Sequence, residues 1–183
     1  MLAANVNPIA LEDVGAVGRD VGQRRRSAGC RRASRALQGS MPTVAGLDHI
    51  AIATKNLEES LAFWQQQLGL VCEHVEELPE RGIRVAFLPV GNTRIELVSP
   101  LPGRENDSEV SKFLTDRGGG IHHIALRTPD VDKDIKEMSD AGARIAQQPS
   151  PGAHNCRVAF VHPKSTGGVL LELSTPPADH TDH

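Results

Sequence analysis

Four side chains stand out because their types recur at matched places. His49 opens the run His49-Ile50-Ala51-Ile52, and His123 opens His123-Ile124-Ala125-Leu126. Glu96 lies in Arg94-Ile95-Glu96-Leu97-Val98, and Glu172 in Leu170-Leu171-Glu172-Leu173. A single imidazole in an apolar strand is ordinarily a satisfied core group. A carboxylate among leucines is harder to explain, because burying its charge without a partner is expensive. Two histidines and two glutamates at repeat-equivalent positions therefore point to one shared cation. The donor set suits a borderline or hard divalent ion, Co²⁺ first, with Mn²⁺, Ni²⁺, Zn²⁺ or Mg²⁺ as alternatives. Four such ligands in an octahedral site leave two positions open, enough for a substrate carrying two nearby oxygens.

The elements that must position these groups are read from periodicity and caps. His49 to Ala53 is a short apolar strand. Asn56 caps a helix in which Leu57, Leu61, Trp64 and Leu68 recur at helical spacing, and Gly69 ends it. Val71 to Val75, Ile83 to Val90 and Arg94 to Val98 follow as strands, with a polar loop from Glu76 to Gly82 and a Gly91-Asn92 hairpin turn. After a linker with one short helix over Ser108 to Leu114, the order returns: a strand over Ile121 to Leu126, and a helix capped by Asp130 with Val131, Ile135 and Met138 inward. Gly142 ends that helix. Strands follow over Ala143 to Gln147, Arg157 to His162 and Val169 to Leu173, with a loop over Pro149 to Asn155 and a Gly167-Gly168 turn. Val158-Ala159-Phe160 echoes Val85-Ala86-Phe87, and Glu172-Leu173-Ser174-Thr175-Pro176 echoes Glu96-Leu97-Val98-Ser99-Pro100, at an offset of about 75 residues. The expected fold is α+β: two tandem β-α-β-β-β modules, 46–100 and 120–176, in one domain over 44–177, packed across a pseudo-two-fold axis so that each buries the other's open face.

Within this frame His122, immediately before His123, is expected on the opposite face of its strand. Its repeat mate is Asp48 rather than a histidine, so it falls outside the ligand set. His74, His154 and His162 have no histidine mates and are expected in surface or supporting roles.

Composition narrows the function classes. At 183 residues and 39% hydrophobic content the chain can bury a core, built of aliphatic residues since it holds four Phe, one Trp and no Tyr. A net charge of −3 offers no case for nucleic acid. Cys30, Cys72 and Cys156 are odd in number and widely spaced, neither a disulfide framework nor a zinc cluster, as in a reducing compartment. No apolar run approaches the roughly 18 residues of a membrane span. Residues 1–43 read as a disordered extension in which Arg19, Arg24, Arg25, Arg26, Arg31, Arg32 and Arg35 crowd among Ser, Gly and Ala. Glu12, Asp13 and Asp20 count against a mitochondrial leader, so the expected location is cytoplasmic, with the mitochondrial matrix as the alternative.

The motifs Leu47-Asp48-His49-Ile50-Ala51, Gly91-Asn92-Thr93-Arg94-Ile95-Glu96-Leu97, Gly120-Ile121-His122-His123-Ile124-Ala125 and His162-Pro163-Lys164 leading through Gly167-Gly168 to Glu172 resemble those of the vicinal oxygen chelate superfamily. Within it the likeness is to the methylmalonyl-CoA epimerases and spans residues 46–176. The resemblance implies a paired-sheet half-barrel around a metal held by His49, Glu96, His123 and Glu172. It implies an acyl-CoA substrate, a homodimer, and proton transfer at C2 of methylmalonyl-CoA through a metal-stabilised enolate. Some members carry Gln at the Glu96 position together with a third-strand glutamate proposed as an acid/base; here Val85 stands at that place. Glu172 and Glu96 are then the expected acid/base pair. Lys164 and Arg94 are candidates for the CoA phosphates, with plain surface charge as the alternative reading. A glyoxalase I-type lactoylglutathione lyase is the catalytic alternative, and a bleomycin-resistance-like binding protein the non-catalytic one. An extradiol dioxygenase, which uses two His and one carboxylate on Fe²⁺, is disfavoured by the second acid at Glu96.

Overall fold

A computed structural model describes residues 43–178. The expected extension, apart from residue 43, and the tail after residue 178 lie outside the described residues. The first module runs β1 (Gly46–Ala53), α1 (Leu57–Leu68), β2 (His74–Leu78), β3 (Ile83–Val90) and β4 (Thr93–Pro100); α2 (Glu109–Arg117) connects it to the second. The second runs β5 (Gly120–Arg127), α3 (Val131–Asp140), β6 (Ile145–Pro151), β7 (Arg157–Val161) and β8 (Leu171–Thr175). The strands form one curled half-barrel sheet in the order β2-β3-β4-β1-β5-β8-β7-β6. That order is a palindrome of the two modules about the β1·β5 junction. The modules thus meet edge to edge through antiparallel β1·β5 pairing, while β1·β4 and β5·β8 are parallel.

Alternation along the strands separates two faces. On the helix face Ala86, Leu88 and Leu97 pack with Leu57, Leu61 and Trp64 of α1. In the second module Ala159, Val161 and Leu173 pack with Val131, Ile135 and Met138 of α3. On the other face Val85, Phe87 and Val98 meet Val110 and Leu114 of α2, and Val158 and Phe160 meet Cys156.

The helix ends follow capping chemistry, as expected at Asn56 and Asp130, while Ser108, expected within its helix, caps α2. Asn56, Ser108 and Asp130 each accept from a backbone N–H three residues on, at Glu59, Ser111 and Lys133. Gly69 closes α1 in the left-handed conformation at φ 69°.

Several element boundaries differ from expectation, and those of β2 and β6 do so for reasons that lie outside the local sequence. β2 begins at His74 rather than Val71, because Leu70 and Cys72 pack under α1 and the hairpin to β3 closes late, with Leu78 paired to Ile83 through a single helical turn at Pro79–Arg81. β6 extends to Pro151 through two register shifts. It is an edge strand, where a proline's missing N–H breaks no ladder bond. β8 starts at Leu171, two residues later than expected.

Candidate metal centre

The site is built from two rungs of cross-strand neighbours. One runs His74–Phe87–Glu96–Ala51–His123 across β2, β3, β4, β1 and β5. The other runs Gln147–Phe160–Glu172–Ala125–His49 across β6, β7, β8, β5 and β1. Each rung starts in one module and ends on the histidine of the other. In each, a wholly buried alanine separates the carboxylate from that histidine, so only a methyl group stands on the rung between them.

Three of the four expected ligands converge. His49 Nε2 lies 3.1 Å from His123 Nε2, and Glu172 Oε2 lies 3.0 Å from His123 Nε2 and 3.8 Å from His49 Nε2. Glu96 lines the same cavity of about 60 Å³ but approaches His49 from its other nitrogen, with Oε1 at 3.3 Å from Nδ1. Arg94 Nε donates to that same oxygen at 2.8 Å. Val85 stands buried on the cavity wall.

The alternation argument fails at two positions, and both failures matter. Between Leu47 and His49, β1 advances two residues while β5 advances one, from Leu126 to Ala125. Between Ala51 and Ile52, β1 advances one while β5 advances two, from His123 to Ile121. The extra residues are Asp48 and His122, and such bulges re-aim side chains. Asp48 Oδ2 accepts from His49 Nδ1 at 2.8 Å. His122 Nδ1 lies 2.8 Å from His123 Nδ1. His122 is therefore not turned to the far side of its strand; it backs the ligand histidine while staying outside the converging set.

Asp48 was not among the expected site residues. It also takes Arg94 NH2 at 2.8 Å and Arg127 Nε at 3.2 Å. Burial pushes its carboxyl up, but the His49 hydrogen bond and the Arg94 charge outweigh that and hold its pKa down to about 2. Arg94 is thus a half-buried cation already engaged by Asp48 and Glu96. The signal for Asp48 was present in its place directly before a candidate ligand in the repeated motif. At Glu172 burial again opposes charge, and the His123 hydrogen bond with the charges of His123 and His49 overcomes it, lowering the pKa. His49 is raised: burial opposes, while the Glu96 charge and the Asp48 bond prevail. Burial, then the neighbouring His123, brings His122 down to about 4.

His162, His74 and His154 take supporting places. His162 accepts from Lys164 N at 3.0 Å and starts the turn before β8, and exposed His74 stacks on Phe87. His154 packs against Phe87 and His74, and its N–H donates to Glu76.

The donor chemistry fits a divalent ion. Asp48 and His122 occupy the Nδ1 atoms of His49 and His123, which turns both Nε2 atoms to the centre. Glu172 is buried there, and its ion pairs among the described residues are with these two imidazoles, a surrounding that favours an added cation. His49, His123 and Glu172 would hold it, with their ligating atoms all within 4.8 Å of one another; Glu96 is the fourth residue of the expected set.

Comparison with known proteins agrees with this architecture. The sequence profile described as the Glyoxalase/Bleomycin resistance protein/Dioxygenase superfamily matches residues 48–160. The chain is 38% identical to the mitochondrial methylmalonyl-CoA epimerase of Homo sapiens, over 74% of this chain and 76% of that protein. It is 36% identical to the ethylmalonyl-CoA/methylmalonyl-CoA epimerase of Cereibacter sphaeroides, over 71% of this chain and 97% of that one. A structure of a variant Streptomyces coelicolor methylmalonyl-CoA epimerase in complex with 2-nitronate-propionyl-CoA superposes with a TM-score of 0.70 at 36% identity, covering 74% of this chain and 100% of that one.

Proposed function

The chain belongs to the glyoxalase/bleomycin resistance protein/dioxygenase superfamily and stands among its methylmalonyl-CoA epimerases, which are isomerases, and from that membership we propose how it interconverts (R)- and (S)-methylmalonyl-CoA. The observation that carries the site assignment is the convergence of His49, His123 and Glu172 at the junction of the two modules.

The hydrogen at C2 lies between a thioester and a carboxylate, so its loss leaves an enolate whose charge must be stabilised and whose two faces must both be reached. A divalent ion held by His49, His123 and Glu172, Co²⁺ first among the candidates, would supply positive charge against the oxygen that gains electron density. Glu172 and Glu96 are the acid/base pair in this reading. As repeat mates on neighbouring rungs they approach the cavity from opposite modules, which supports one serving each face. One carboxylate takes the C2 proton, and the C–H electron pair becomes the enolate. The other, as the acid, returns a proton to the opposite face and closes a new C–H bond. Afterwards the first glutamate is protonated and the second is not, and exchange with solvent resets them. Glu172 can do this with the one oxygen that is not directed at the ion. Beside His123 a groove of about 560 Å³, with Lys112 and Arg117 set among Glu109, Phe113 and Asp116 on its wall, offers space for the CoA arm.

The test is purified protein with added Co²⁺ and (2S)-methylmalonyl-CoA, assayed for the 2R epimer. Formation of 2R is expected. Turnover of a glutathione hemithioacetal with no epimerisation would replace this reading with the lactoylglutathione lyase one.

A further inference from the structure

The two modules prepare their histidines in the same way but with different chemistry. In the first, the bulged Asp48 turns back and accepts from His49 Nδ1 at 2.8 Å. In the second, the bulged residue is His122, and its Nδ1 lies 2.8 Å from His123 Nδ1. A contact this short between two ring nitrogens needs one proton between them. If it sits on His123 Nδ1 when the site is loaded, the lone pair of His123 Nε2 would be turned to an ion held with Glu172 and His49, as a ligand's must be. The His122 ring is itself held: it meets Phe113 of α2 edge-on, with centroids 5.0 Å apart.

We infer that His122 is the positioning residue of His123, doing with a neutral imidazole what Asp48 does for His49 with a carboxylate. Its Nδ1 accepts the His123 Nδ1 proton, which fixes both the tautomer and the rotation of the ligand ring. The bulge at His122 exists to make this contact, since a regular strand would send the side chain to the helix face. The groups supporting a metal-binding histidine are commonly worth 10–100-fold in metal affinity. The inference rests on the reading of the site as a metal centre.

The experiment measures zinc affinity by calorimetry on metal-stripped wild-type protein and on His122→Leu and His122→Asn. Asparagine places its Oδ1 near the position of Nδ1 and can accept the same hydrogen bond; leucine cannot. His122→Leu is expected to bind zinc about 10–100-fold more weakly, and His122→Asn to recover affinity to within a few-fold of wild type. In the zinc-loaded wild type, a ¹⁵N–¹⁵N coupling across the bond, with the proton on His123 Nδ1, is the direct signature. Wild-type affinity in His122→Leu, no recovery in His122→Asn, or a proton residing on His122 Nδ1 would overturn the assignment. Wild-type protein that binds no zinc would instead overturn the metal-centre reading on which it stands.

Discussion

Arg94 Nε lies 2.8 Å from Glu96 Oε1, whereas the repeat mate of that carboxylate, Glu172, meets the imidazole of His123 at 3.0 Å. The duplication has therefore made two carboxylates that are equivalent in register and unequal in surroundings. Glu172 is surrounded by ligand nitrogens, and Glu96 is anchored by a guanidinium that also clasps Asp48.

This inequality predicts how the two glutamates separate. Glu172→Gln and Glu96→Gln each remove a proton carrier, so each should cut exchange of the C2 hydrogen by about 10²–10⁴-fold while still taking up metal at saturating ion. Glu172→Gln should weaken metal binding more than Glu96→Gln does, because its oxygen belongs to the converging set. Deuterium uptake at C2, measured beside metal content, reads both effects; a variant exchanging at the normal rate is not missing a required base.

Asp48 sets an acid limit on the fold. Its pKa falls from 3.8 unfolded to about 2 folded, so the folded state binds fewer protons and gains stability above the unfolded value. The gain is about 2 kcal/mol at neutral pH, and it is lost as pH drops from about 4 through 2. Urea unfolding across that range should show the loss in wild type and a flatter acid limb in Asp48→Asn. At pH 7 the substitution should cost at least about 2 kcal/mol, since it leaves Arg94 and Arg127 without their common carboxylate. Equal acid slopes in the two proteins would contradict this.

The small residues in the rungs make a steric prediction. Ala125 is wholly buried between Glu172 and His49. Ala125→Leu forces extra methylenes into that gap, at about 1–3 kcal/mol of stability. It should also abolish high-affinity metal binding in the fraction that remains folded. A variant that folds and binds the ion as wild type does would show that the rung does not space the ligands.

Much of this was legible in the sequence because it rested on repetition. The caps at Asn56 and Asp130, the module order, and the pairing of His49 with His123 and Glu96 with Glu172 all follow from local chemistry applied twice. What escaped was set by contacts distant in sequence. His122 was assigned to the wrong face because strict alternation allows no inserted residue, and the bulge is visible only once β1 pairs with β5. Arg94 looked like a surface cation because its partner Asp48 is 46 residues away. The edges β2 and β6 shifted because an edge strand has one ladder, so its limits come from the neighbour rather than from its own pattern.

The account is tested most directly by incubating the protein, loaded with one equivalent of Co²⁺, with (2S)-methylmalonyl-CoA in deuterated water and following C2 by NMR. The prediction is that the C2 proton signal disappears and 2R product forms carrying deuterium at C2. Retention of both the proton and the 2S configuration by the metal-loaded protein would contradict it.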